Sequence, residues 1–312
     1  MKAALLYRFG PADVLQVEET GIPAAGKNEV LIAVALAGIN PVDTKIRAGT
    51  HISCKDLKLP AVLGKEVSGT VMALGEGVTE FVTGDQVFAF LPANGGFADY
   101  TAAASHLVVR KPENVPFDMA AAVPLAGMTA YQAIHEHLEL NSGERILIQA
   151  AAGGVGHLAV QFAKLAGAHV SGTASGKNAA FLKKIGMDQP IDYKTERFEE
   201  KAEGVDAVLD AMGGEILYRS IACVRPGGRV VCLPSYTKDD PKAIALARER
   251  KVRLVWPMMH PEADQLRLIA ELLEQRKLHV EIDKAFSLEK IVDAHKAVES
   301  HGTRGKNVIL AG

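Results

Sequence analysis

Short runs rich in β-branched and apolar residues occupy positions 30–36, 69–73 and 86–90. Each is bounded by turn residues: Gly26-Lys27-Asn28, Gly75-Glu76-Gly77, Gly84-Asp85 and Asn94-Gly95-Gly96. Strand-length runs punctuated in this way predict a mostly β region over residues 1–120. The texture then changes. Residues 117–137 are alanine-rich and apolar, broken by Pro124 and Gly127, and read as two helical pieces. From Arg145 onward, apolar runs at 146–149, 169–173, 189–192, 207–211, 229–233 and 253–257 alternate with helix-compatible segments such as 178–185 and 216–224. Six strands with intervening helices imply a doubly wound parallel sheet and an α/β fold class. Leu266, Ile269, Leu272 and Leu273 share one face of an amphipathic helix over 264–276; a strand near 285–288, a helix over 288–299 and a strand over 307–310 follow. These last elements exceed what a six-stranded sheet needs, so they are expected to return and complete the first domain. The chain therefore divides into 1–120, a doubly wound domain over 121–260, and a return segment over 261–312.

Composition narrows the class of protein. A chain of 312 residues is long enough for two domains, and 48% hydrophobic with 23% charged residues is the balance of a soluble globular protein. Thirty-five basic against 37 acidic side chains leave a formal net charge of −2, which gives no electrostatic reason to expect nucleic acid or an anionic membrane as partner. No apolar run reaches the length of a membrane span, and the N-terminal MKAALLYRFG lacks the pattern of a secretory signal. Cys54, Cys223 and Cys232 are an odd, sparse set that fits a reducing compartment, so a cytoplasmic location is expected.

The chemistry concentrates in residues 143–164. Ile146, Leu147 and Ile148 form a strand-like run ending at Ala150, Ala151-x-Gly153-x-x-Gly156 follows at once, and Leu158, Val160, Phe162, Ala163 and Leu165 continue an apolar segment of helix length. Strand, glycine turn and helix in that order make a dinucleotide-binding turn. Gly153 lets backbone approach a pyrophosphate, Gly156 lets the helix pack on its strand, and the helix start offers free N–H groups and a positive dipole end. Ala152, Gly153, Gly154, Val155 and Gly156 are the expected pyrophosphate contacts, with Ala151 standing where the simplest pattern has its first glycine.

The second strand runs into Gly172-Thr173-Ala174-Ser175-Gly176-Lys177-Asn178, which contains no acid. Folds that prefer NAD usually place Asp or Glu there for the ribose 2′-hydroxyl, whereas Ser175 and Lys177 suit a 2′-phosphate. The expected cofactor is NADPH. Met212 and Gly213 after the fourth strand, and Leu233 and Pro234 after the fifth, stand at carboxyl ends of strands, where ligands bind in open α/β sheets.

Gly143-Glu144, the doublet Gly153-Gly154, Gln161 and Lys164 together resemble the quinone oxidoreductase/zeta-crystallin signature of the medium-chain dehydrogenase/reductase superfamily. The resemblance covers nearly the whole chain. Gly38-Ile39-Asn40-Pro41-Val42-Asp43, Leu63-Gly64-Lys65-Glu66-Val67-Ser68-Gly69, Gly84-Asp85-Gln86-Val87, Gly95-Gly96-Phe97-Ala98-Asp99-Tyr100 and Gly127-Met128-Thr129-Ala130 occur in the family's order. It implies a GroES-like β-barrel catalytic domain and a Rossmann domain with a six-stranded parallel sheet. It also implies that Tyr193 helps hold the 2′-phosphate, and that Asn40 and Thr129 lie near the nicotinamide.

The zinc alcohol dehydrogenase branch of that superfamily places a zinc-binding cysteine where Asn40 stands and a histidine where Lys65 stands, and no four-cysteine cluster occurs between Phe88 and Val115. A protonated lysine cannot coordinate a metal and asparagine is a poor zinc ligand, so no metal is expected. Alcohol oxidation then lacks its usual Lewis acid. The resemblance implies instead an NADPH:quinone oxidoreductase or enone reductase, passing hydride to a quinone or an α,β-unsaturated carbonyl. Asn40, Lys65 and Thr129 are the candidates to stabilise charge developing on the carbonyl oxygen. Lys65 reads also, and somewhat better, as the partner of an ion pair with Glu66, Asp43 or another acid. His51, where relatives often carry a tyrosine, is a candidate proton donor or a lining residue. Two alternatives stay open: an enoyl-CoA-type reductase with Arg248, Arg250, Lys251 and Arg253 as a track for CoA phosphates, and a non-catalytic NADPH-binding structural or regulatory protein. A small-molecule substrate and a homodimer complete the expectation.

Overall fold

Val30, Ile32 and Val34 point inward along Glu29–Ile39 while their neighbours are half-exposed. This period of two marks a strand with one face on a core, and it supplies the spine of the first of two units. The computed structural model describes residues 1–300 and 302–311. The units are residues 1–128 with 261–312, and residues 129–260.

In chain order the first unit begins with β1 (Lys2–Leu6), β2 (Leu15–Glu19), β3 (Glu29–Ile39), α1 (Pro41–Ala48), β4 (Ala61–Val62), β5 (Glu66–Leu74), β6 (Gln86–Phe90), β7 (Tyr100–Ala104), β8 (Val108–Arg110) and α2 (Phe117–Ala122). Helix α3 (Pro124–Gln132) and a π-helical turn (Ala133–His137) lead into the second unit. There β9 (Arg145–Ile148), α4 (Gly156–Leu165), β10 (His169–Ala174), α5 (Ala179–Lys184), β11 (Gln189–Asp192), α6 (Phe198–Lys201), β12 (Val205–Asp210), α7 (Gly214–Cys223), β13 (Val224–Cys232), α8 (Pro241–Glu249) and β14 (Arg253–Val255) alternate. The return to the first unit contributes α9 (Ala263–Glu274), β15 (Ile282–Ser287), α10 (Ile291–Glu299) and β16 (Lys306–Leu310).

The first unit holds a seven-stranded sheet ordered β15-β16-β3-β5-β6-β8, with β7 also on β3, and a three-stranded sheet ordered β2-β1-β4. Strand β16 lies antiparallel on β3, from Asn307 opposite Ile39 to Leu310 opposite Leu36. Leu6, Ile32, Val67, Val71, Val87 and Phe97 fill the core beneath, closed by Ile291 and Ala294 of α10. The second unit is a six-stranded parallel sheet ordered β11-β10-β9-β12-β13-β14, so the strand order reverses between β9 and β12. Ile146, Leu147 and Ile148 are fully buried, which is why a strand covered on both faces reads as a continuous apolar run.

The α/β expectation holds, with two local differences. The first unit extends to Met128 where the sequence pattern sets the boundary at 120: α2 packs on β3 and β5, and beyond it the Leu125 N–H donates to Glu66. Pro124 separates the two helical pieces, but Gly127 lies within α3 and does not break it. A Cβ there would stand 3.0 Å from both Ile269 Cδ1 and Val123 Cγ2, so this glycine serves close packing.

His295 of α10 is fully buried, edge-to-face with Phe97 at 5.8 Å, and neither ring nitrogen has a partner among the described residues. Burial, reinforced by the Arg47 charge, pushes its pKa down to about 3. The folded state therefore refuses a proton that the unfolded chain accepts below its ordinary value of 6.5, and stability falls as pH drops from there toward 3. His295→Leu is expected to raise stability by about 1–2 kcal/mol at pH 7, and by roughly 2 kcal/mol more at pH 5. Urea unfolding of both proteins at the two pH values checks this; an unchanged or lower midpoint contradicts it.

Candidate active site

In the second unit the chain leaves β9 through Ala150, which adopts a left-handed backbone with φ of 53°. Its N–H donates to Thr173 Oγ1 at 3.2 Å, and its carbonyl accepts Gly153 N–H at 2.9 Å. A Cβ on Gly156 would stand 2.4 Å from that carbonyl, so Gly156 is required by the close approach of helix to turn. Ala151 keeps the place of the missing first glycine because the neighbouring strand yields: a Cβ on Gly172 would lie 2.9 Å from the Ala151 methyl. The backbone N–H groups of Ala152, Gly154, Val155 and Gly156 have no partner among the described residues. A Cβ on Gly153 would meet only the Ala150 carbonyl, at 3.2 Å, so the space above this glycine is open. Unpaired donors at the start of a ten-residue helix, beneath open space, fit a dinucleotide pyrophosphate.

Three further strand ends converge on the same edge of the sheet. Asp210 Oδ1 accepts Met212 N–H at 2.8 Å and Gly213 N–H at 2.6 Å, and its carbonyl accepts Leu233 N–H at 2.8 Å. Gly213 has φ of 72°, and a Cβ there would lie 2.6 Å from Thr237. Leu233 and Thr129 line one small cavity together with Gln132, His137, Pro257 and Met259. Pro234 begins the short helical turn Ser235–Thr237. At the end of β10, Ser175 precedes another helical turn and its Oγ accepts from Asn178 Nδ2 at 3.3 Å; Lys177 and Tyr193 are exposed. Register places Ala174 beside Asp192, and a Cβ on Gly176 would stand 2.5 Å from Asp192 Oδ2. Asp192 and Glu196 thus line the recess that also contains Ser175. The sequence reading missed both carboxylates, since they come from the next strand and the turn after it rather than from the 172–178 segment.

In the first unit, β3 ends at Ile39 and Asn40 caps the start of α1, with Pro41 as the first helical residue. Asp43 Oδ2 accepts the Asn40 N–H at 2.8 Å. The Asn40 side chain turns inward: its amide nitrogen donates to Glu66 Oε1 at 2.7 Å, and its amide oxygen accepts from Lys306 Nζ. Lys306 and Glu66 form a fully buried ion pair at 2.8 Å, and Glu66 Oε2 accepts the Leu125 N–H at 2.7 Å. Gly38 makes room for this carboxylate, since a Cβ there would stand 2.3 Å from Glu66 Oε1. The expected ion pair of Lys65 with Glu66 or Asp43 does not form: Glu66 is taken by Lys306, and Lys65 Nζ donates to the Pro92 carbonyl at 2.7 Å. Burial lowers the Lys65 pKa, opposed by the Asp43 charge. Burial also raises Asp43 to about 7, and Asp43 Oδ1 has no partner among the described residues. His51 Nδ1 lies 2.7 Å from Ser53 Oγ, and burial with the charges of Lys45 and Lys65 lowers its pKa.

The Asn40 oxygen is committed to an ammonium, Lys65 is a donor, and among the described residues no three His, Cys, Asp or Glu side chains gather to hold a metal. The arginines read as a CoA track are partly engaged elsewhere. Arg253 pairs with Glu139 at 2.9 Å, and Arg250 donates to the Ala222 carbonyl.

Residues 26–113 match the alcohol dehydrogenase GroES-like domain, and residues 185–309 match the zinc-binding dehydrogenase domain. The chain is similar to the quinone oxidoreductase of Coxiella burnetii, with a TM-score of 0.94 and 37% identity over 100% of this chain and 99% of that one. It is 35% identical to the 2-methylene-furan-3-one reductase of Solanum lycopersicum, over 99% of this chain and 79% of the relative. This chain belongs to the quinone oxidoreductase family of medium-chain dehydrogenases/reductases. Another structure of the family, the Escherichia coli quinone oxidoreductase complexed with NADPH, matches with a TM-score of 0.90 and 26% identity over 99% of this chain and 100% of that one. The first unit is accordingly a GroES-like barrel and the second a Rossmann domain, and the protein is an oxidoreductase that uses a nicotinamide cofactor.

Removing one partner of a buried pair leaves an uncompensated charge. Lys306→Met is therefore expected to cost about 3–5 kcal/mol, and adding Glu66→Gln to restore at least about 1 kcal/mol of it. Chemical unfolding of the single and double variants measures both values; a loss below about 1 kcal/mol for the single variant contradicts the assignment.

Proposed function

We propose that the protein reduces a quinone or an α,β-unsaturated carbonyl with NADPH and without zinc. The observation that carries this reading is an intact dinucleotide turn in a chain whose two metal-ligand positions hold an engaged amide and a lysine donor. When bound, NADPH supplies the hydride. The N–H groups of Ala152, Gly154, Val155 and Gly156 hold its pyrophosphate, with open space above Gly153, while Met212, Gly213, Leu233 and Pro234 line it. Negative charge develops on the acceptor's carbonyl oxygen as hydride arrives, and a preorganised donor lowers that barrier. The Lys65 ammonium retains hydrogens beyond the one given to Pro92, and the Asn40 amide is held rigidly by Glu66 and Lys306. Thr129 is the third donor. His51, whose pKa is lowered by burial and by the charges of Lys45 and Lys65, is assigned to the substrate mouth.

Lys177, Ser175 and Tyr193 support the choice of NADPH, and Asp192 opposes it from the adjacent strand. The expected preference over NADH is therefore modest. Lys177→Ala should lower the NADPH-to-NADH ratio of kcat/KM by about tenfold, and Asp192→Asn should raise it by a similar factor. A small-molecule acceptor, a homodimer and a cytoplasmic location complete the reading; three unpaired cysteines support the last, and among the described residues no helix is long and apolar enough to cross a membrane.

Following oxidation of NADPH and NADH against a panel of quinones, enals, enones and enoyl-CoAs, with and without a chelator, tests the whole assignment. Chelator-resistant turnover with quinones or enones is expected. Zinc-dependent oxidation of a simple alcohol with NADP⁺ contradicts it.

A further inference from the structure

Four polar side chains form a single buried file beneath the two turns assigned to the cofactor. Thr173 is on β10, Gln149 follows β9, Ser220 is on α7 and Asp210 ends β12; none exceeds 4% exposure. The Ala150 N–H donates to Thr173 Oγ1 at 3.2 Å, and the Thr173 hydroxyl donates to Gln149 Oε1 at 2.6 Å. Gln149 Nε2 donates to Ser220 Oγ at 3.0 Å, and the Ser220 hydroxyl donates to Asp210 Oδ2 at 3.2 Å. The other oxygen of Asp210 accepts the N–H groups of Met212 and Gly213.

The polarity of this file is fixed from both ends. A backbone N–H can only donate, and an ionised carboxylate can only accept, so each hydroxyl and the amide between them has one allowed role. Three donors reach the Asp210 carboxylate and oppose the burial that raises its pKa, without outweighing it. A half-satisfied buried network is worse than an apolar core, so a fully satisfied one carries a structural demand that apolar residues would not meet. What these four residues join is specific. One end sets Ala150, the left-handed residue that starts the glycine turn; the other sets Met212 and Gly213 across the point where the strand order reverses.

We infer that the Thr173–Gln149–Ser220–Asp210 file locks the glycine turn after β9 and the Met212–Gly213 turn after β12 into one binding surface, with Asp210 as a positioning residue for the nicotinamide cofactor. This rests on the cofactor reading above. A break anywhere along the file uncouples the turns, so a second break costs little more. Residues that merely fill space would act independently.

The test is a double-mutant cycle on the dissociation constant of NADPH, read by fluorescence of the bound cofactor in the full-length protein. Thr173→Val and Ser220→Ala are each expected to weaken NADPH by about tenfold, and the double variant by about tenfold in total rather than about a hundredfold. KM for NADPH should follow while kcat changes less than about twofold. Thr173→Ser, which keeps the hydroxyl, should restore affinity. If Ser220→Ala does not fold, Gln149→Met takes its place in the cycle. Additive effects, or variants within about twofold of the parent affinity, overturn the inference. A parent protein that binds neither NADPH nor NADH overturns the cofactor reading itself.

Discussion

Lys306 and Glu66 meet at 2.8 Å with side chains 3% and 0% exposed, and much of the first unit is arranged to make that contact tolerable. Two charges removed from water are stable only when every remaining lone pair and proton is matched. Asn40 serves both partners, the Leu125 N–H takes the second carboxylate oxygen, and Gly38 gives up a side chain to leave space. The pair joins residues 240 positions apart, one at the start of β5 and one at the start of β16. It thereby pins the returning C-terminal strand against β3, with Asn307 opposite Ile39. The same contact decides the chemistry of the neighbourhood. Asn40 is held between the two charges, and Lys65 is left to the Pro92 carbonyl rather than to an acid.

A different economy governs the second unit. Its turn tolerates Ala151 in place of a glycine because Gly172 on the adjacent strand makes the room, and it tolerates left-handed Ala150 because Thr173 and Gly153 hold that residue's backbone. The unpartnered donors of Ala152, Gly154, Val155 and Gly156 are backbone N–H groups, so neither feature removes them.

Much of this was legible in the residues. The parallel strands read easily, because burial on both faces turns them into plain apolar runs such as Ile146–Leu147–Ile148. β7 escaped notice because Tyr100-Thr101-Ala102-Ala103-Ala104 has little strand propensity; its pairing with β3 supplies what the sequence lacks. Gly127 looked like a helix breaker and proved a packing residue against Ile269, a contact between segments far apart in the chain. The zinc-ligand positions could be judged from residue type alone, but the partners of Asn40 and Lys65 could not. Lys306 carries no local signal of its burial. Asp192 had the same difficulty: it stands beside Ser175 only through the register of β10 with β11.

The central claim is that hydride passes directly to an electrophilic acceptor with no metal in the site. Its most direct test gives chelator-treated protein an enone and NADPH deuterated at the transferable position of the nicotinamide, then locates the label in the product. The account predicts deuterium at the β-carbon, formed at the same rate with or without added zinc. Unlabelled product, or label transfer only when zinc is restored, would contradict it.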